Sequence, residues 1–159
     1  MADTIGREAL IPNPALSGFD RVIGLWRTTG SHPYLPGRTL VGRASFAWHE
    51  DGAFVLMRSE LDAPEVPSGV AVFGSDTDSG LLVMLYFDER GVSRRYDVIL
   101  TDHSLSWERL DPPFAQRQTL IFDRDADRMS GRGEMSRDGG AWEEDLSLDY
   151  VRDHTVTTL

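Results

Sequence analysis

The chain contains no cysteine, so neither a disulfide framework nor thiolate chemistry is open to it. It also contains no lysine: all 16 basic residues are arginine, and Asn13 is the only asparagine. That skew reads as the codon bias of a GC-rich genome, which points to a bacterial source rather than to a functional device. No run of eighteen apolar residues is present, which excludes a helical membrane span. Met1 to Pro14 lacks the basic stretch followed by an apolar run that marks an export signal. These absences predict a cytoplasmic protein with no membrane partner. There is no Gly-x-Ser-x-Gly elbow, phosphate loop or dinucleotide fingerprint, so no motif points to an enzyme. The net charge of −10 repels polyanions, and nucleic acid is not expected as a partner.

What is present is a long series of short alternating segments. With 159 residues and 40% hydrophobic content, the chain can bury one ordinary core. Residues 1–14 read as an extended lead-in and 15–159 as a single domain. Leu16, Phe19 and Ile23 have helical spacing, which predicts a short helix near Pro14 to Ile23. Ten strands are predicted after it, over 24–32, 38–49, 53–61, 68–76, 81–88, 92–100, 104–110, 115–123, 128–136 and 141–152. Gly-, Asp- or Pro-containing turns separate them, such as Glu50-Asp51-Gly52 and Asp138-Gly139-Gly140. No connection is long enough for a crossover helix, so every pairing is expected to be antiparallel. An even-numbered meander can close on itself and so remove both exposed edges. The expected fold is an all-β, up-and-down barrel of about ten strands, with the short helix closing one end.

Closure carries its own check. In a ten-stranded barrel the first strand runs up from the bottom and the last runs down beside it. Trp26, early in its strand, then stands level with Arg152, late in its strand. The indole can fill the floor with the guanidinium stacked across it.

Side-chain alternation assigns the interior. With Trp26 and Arg152 inward, so are Thr28, Gly30, His32, Leu148, Tyr150, Leu146, Glu144 and Trp142. Elsewhere the inward set includes Phe54, Leu56, Leu82, Met84, Leu105, Trp107 and Leu120. Polar inward residues gather at the upper level: Arg58 and Glu60, Tyr86 and Asp88, Arg94 and Tyr96, Arg109, Gln116 and Gln118, Glu144 and His32. The interior is thus expected to grade from an apolar floor to a charged mouth, with Gly131 and Gly133 leaving room. That gradient suits an amphipathic small molecule whose polar or acidic head meets Arg58, Arg94, Tyr96 and Arg109, between walls made by Trp107 and Trp142. The competing reading is a self-neutralising network, with the arginines facing Glu60, Asp88 and Glu144. On the upper loops, Tyr34, Leu35, Pro36, Val66 and Phe114 offer a rim for ligand passage or a homodimer contact.

Other chemistry is weaker. No two histidines have metal-site spacing, and no metal is expected. Asp123-x-Asp125-x-Asp127 with Glu134 approximates a calcium loop, but Arg128 stands where the turn needs glycine. A polar hairpin turn accounts for it.

On Gly24-x-Trp26 after a short helix, and Arg152 on the last strand, the chain resembles the calycin superfamily, the lipocalin and fatty-acid-binding-protein group. It looks most like a group of uncharacterised ten-stranded bacterial barrels. Gly30-Ser31-His32-Pro33, the segment Tyr86 to Tyr96, and Trp142-Glu143-Glu144-Asp145 carry that likeness. The resemblance implies a barrel with Gly24, Trp26 and Arg152 as structural signature residues. It fixes no function, because the superfamily holds carriers, haem proteins and a few enzymes. No cofactor is predicted. The leading expectation is a binding barrel for a small hydrophobic or amphipathic ligand held by the residues above. One alternative is a haem or cofactor barrel with His32 as axial ligand and redox or isomerase chemistry. Another is a filled barrel acting through its surface.

Overall fold

The computed structural model describes residues 10–155. A 3₁₀ helix, Pro14–Arg21, leads into ten strands: β1 (Gly24–Ser31), β2 (Leu40–His49), β3 (Phe54–Leu61), β4 (Gly69–Ser75), β5 (Leu82–Asp88), β6 (Ser93–Leu100), β7 (Ser104–Arg109), β8 (Phe114–Phe122), β9 (Arg128–Arg137) and β10 (Glu143–Arg152). Each strand pairs antiparallel with its sequence neighbours, and β1 pairs with β10, so the meander closes into a barrel without an open edge. Of the lead-in, residues 1–9 lie outside the described residues. Asn13 caps the helix, its side chain accepting from the Ala15 N–H at 3.0 Å. Among the described residues, no helix is long and apolar enough to cross a membrane.

The helix seals the lower end. Leu16 and Phe19 are fully buried beneath Phe46, Phe73, Leu105 and Leu120, which form the apolar floor. The Phe19 and Phe73 rings meet at 5.0 Å. Trp26 pairs in register with Arg152, whose guanidinium carbon lies 4.2 Å from the indole centre. Arg152 also donates to the carbonyls of Ile23 at 2.6 Å and Arg21 at 2.8 Å, which stand free at the helix end. Gly24 explains the first position of the signature. Its φ is +131°, and a Cβ there would meet Arg152 Nη1 at 2.6 Å.

Two strands present the opposite face from that predicted. In β3, Trp48 pairs with Val55 and Phe46 with Met57, so Val55, Met57, Ser59 and Leu61 face inward. Phe54, Leu56, Arg58 and Glu60 lie on the outside. Both faces of this strand begin apolar, and the charges decide: one face would bury Arg58 and Glu60, the other buries none. In β10 a bulge between Glu144 and Ser147 sets Asp145 and Leu146 opposite Gly133. Alternation therefore changes phase within the strand. Leu148 and Tyr150 face inward as predicted, but Trp142 and Glu144 turn out and Asp145 turns in.

Candidate functional site: a cavity with an arginine mouth

Above the floor the barrel encloses a cavity of about 670 Å³, within the range of small-molecule sites. Met57, Ala71, Met84, Leu148 and the Trp107 indole line its lower part. Of the upper-loop residues, Tyr34, Leu35, Val66 and Phe114 line the cavity and Pro36 does not. The interior is therefore not filled by its large side chains.

A chain of hydrogen bonds spans the upper wall. The Tyr96 hydroxyl donates to Gln116 Oε1 at 2.6 Å, and Gln116 Nε2 donates to Asp145 Oδ2 at 2.6 Å. The other Asp145 oxygen stands 3.0 Å from His32 Nε2. His32 Nδ1 accepts the Tyr34 N–H at 3.0 Å, which places the imidazole proton on Nε2, facing Asp145. Both ring nitrogens are thus engaged. As placed, neither offers a lone pair to a haem iron, and ligation through Nε2 would require releasing Asp145. Burial pushes the Tyr96 phenol above its usual range, with Arg94 partly opposing, so it remains a neutral donor.

The second polar group belongs to the β5–β6 turn. Tyr86 donates to Asp88 Oδ2 at 2.9 Å, and Arg90 Nη2 meets the same oxygen at 2.7 Å. Hydrogen bonding from Arg90 leads in lowering the Asp88 carboxyl to about 2. Burial, then the bond to Asp88, push the Tyr86 phenol upward.

The remaining mouth arginines are not neutralised in this way. Arg94 stacks its guanidinium 4.8 Å from the Phe114 ring centre. Arg137 lies 5.9 Å from the same ring and 5.6 Å from Tyr34. Arg109 donates to the Phe114 carbonyl at 3.2 Å. Among the described residues none of the three makes an ion pair with a carboxylate. The expected self-neutralisation fails because Glu60 and Glu144 lie outside and Arg90 holds Asp88.

Of the residues predicted for the site, His32, Tyr86, Arg94, Tyr96, Trp107 and Gln118 line the cavity. Arg109 bonds the Phe114 carbonyl and does not line the cavity. Arg58 pairs with Glu60 at 2.9 Å on the outer surface. Trp142 packs outside beneath the Arg117 guanidinium at 3.9 Å, and Glu144 is exposed opposite Glu134. Besides Arg90 on the β5–β6 turn, two site residues escaped prediction. Arg137 shares the inward phase of Gly131 and Gly133, but the strand was predicted to stop one residue short of it. Asp145 was assigned outward, and only the bulge brings it in.

No protein-family model matches the chain, and no curated protein sequence matches it. Solved structures do. Rv2717c from M. tuberculosis superposes with a TM-score of 0.63 at 17% identity, over 89% of this chain and 98% of that one. The S-type phycobiliprotein lyase CPES from Guillardia theta gives 0.55 at 14% identity, over 87% of this chain and 92% of that one. The likeness is one of fold. This chain is a closed, ten-stranded antiparallel barrel.

Proposed function

We propose that the barrel binds a small amphipathic molecule with an anionic head, its body in the cavity and its head at Arg94 and Arg137. The observation that carries this reading is the set of guanidinium groups at the mouth of a 670 Å³ cavity that no carboxylate neutralises among the described residues. Guanidinium presents a rigid fork of donors that suits a carboxylate or phosphate head. Phe114 supports both arginines at the opening by cation–π contact, with Arg137 exposed to solvent. Tyr96 stands beside Arg94 on the same strand, its hydroxyl proton held by Gln116.

Native mass spectrometry of the freshly purified protein tests the reading. The wild type is expected to carry a discrete acidic small molecule that denaturation releases, and Arg94→Ala/Arg137→Ala is expected to carry none. A wild type at its bare mass, or an adduct undiminished in the double variant, would contradict it.

A further inference from the structure

The lower cavity wall holds polar groups that the barrel itself leaves without partners. Tyr150 is 3% exposed and lines the cavity, yet no described residue hydrogen-bonds its hydroxyl. Burial alone pushes its phenol well above the usual range, so it stays a neutral donor. Gln118 on β8 and Trp107 on β7 are directly opposed in register and line the same cavity. Neither the Gln118 amide nor the Trp107 indole N–H has a hydrogen-bond partner among the described residues. The upper wall behaves otherwise: Tyr96, Gln116, Asp145 and His32 bond one another.

These three groups open onto the cavity. Among the described residues only Thr28 Oγ1 is both sealed from solvent and unpaired. They also share a wall. Gly131 and Gly133 occupy successive inward positions of β9, about 6.6 Å apart along the strand. A Cβ on Gly131 would meet Tyr150 Cε2 at 3.1 Å, and one on Gly133 would collide with Gln118 Oε1. The two glycines thus let the phenol ring and the amide lie against neighbouring points of bare strand. Ligand cavities are mostly apolar with a few polar groups that fix orientation, and three unpaired polar groups turned into one cavity match that pattern.

We propose that Tyr150, Gln118 and Trp107 form a deep hydrogen-bonding subsite that takes a carbonyl or hydroxyl oxygen at the end of the ligand opposite its head. This inference rests on reading Arg94 and Arg137 as the head-group clamp. It narrows the ligand to an oxygenated amphiphile and disfavours a plain alkyl carboxylate. Tyr150 and Trp107 donate, and Gln118 donates or accepts, so a carbonyl satisfies the set best.

Two isosteric probes test it: 4′-acetylbiphenyl-4-carboxylate and 4′-isopropylbiphenyl-4-carboxylate, titrated calorimetrically into wild type, Tyr150→Phe and Arg94→Ala. The wild type is expected to prefer the acetyl probe by about fivefold to tenfold, the scale of one or two net hydrogen bonds. Tyr150→Phe is expected to lose most of that preference while keeping its thermal midpoint, because the hydroxyl has no partner in the protein. Arg94→Ala is expected to weaken both probes equally and keep the preference. A wild type that binds the isopropyl probe as tightly, or a Tyr150→Phe variant that keeps the full preference, would overturn the subsite. An acetyl preference in the wild type, with the affinity of both probes left unchanged by Arg94→Ala, would uphold the subsite and overturn the clamp. Failure of both probes to bind wild type would overturn both.

Discussion

The Arg152 guanidinium lies 4.2 Å from the centre of the Trp26 indole, and the two residues are direct partners across the β1–β10 seam that closes the barrel. The same guanidinium bonds the Ile23 and Arg21 carbonyls and sits 3.2 Å from Asp127 Oδ1. One side chain therefore ties together the seam, the helix and the β8–β9 turn. Lysine offers one ammonium where arginine offers a planar fork, so Arg152→Lys loses most of these bonds. It is expected to destabilise the fold by about 2–4 kcal/mol, measured by urea unfolding. Gly24→Ala is expected to cost about 1–3 kcal/mol at the same seam, through its positive φ and the collision with Arg152.

Thr28 gives a change of the opposite sign. It is 1% exposed, and its Oγ1 has no partner among the described residues. Thr28→Val keeps the shape and removes the stranded hydroxyl. It is expected to stabilise the protein by about 1 kcal/mol, read as a higher urea midpoint with an unchanged slope.

Asp88 sets an acid limb. Its carboxyl is lowered to about 2 in the fold from an ordinary value of 3.8. A depressed carboxyl stabilises above the unfolded pKa and loses that contribution as pH falls through the folded one. Stability is therefore expected to drop between about pH 4 and pH 2, and Arg90→Ala is expected to flatten that part of the curve. Unfolding midpoints measured across this window compare the two.

Asp145 joins β10 to β8 and to the segment that follows β1, by accepting from Gln116 and pairing with His32, and it is 8% exposed. Asp145→Ala leaves both partners facing a void. A loss of about 2–4 kcal/mol is expected by urea unfolding.

The fold was legible in the sequence because turn residues punctuate it. Strand boundaries fall within a few residues of those expected, and the level match of Trp26 and Arg152 follows from antiparallel closure alone. The site was legible only where alternation runs unbroken from an anchor. It does so through β5 to β8, and there Tyr86, Arg94, Tyr96, Trp107 and Gln118 face the cavity as expected. It fails in β3, where Phe54 and Leu56 on one face compete with Val55 and Met57 on the other. The signal that settles β3 was the charge at Arg58 and Glu60. In β10 no local signal separates Asp145 from Glu144: a bulge inserts one residue without changing the composition, and every side chain before it turns over.

The charge of the head group bears most directly on the central claim. We expect 4′-acetylbiphenyl-4-carboxylate to bind the wild type at least about tenfold more tightly than its neutral carboxamide, and Arg94→Ala/Arg137→Ala to erase the difference, in calorimetric titrations at low salt. Equal affinity of carboxylate and carboxamide for the wild type, or a charge preference that survives in the double variant, would contradict the account.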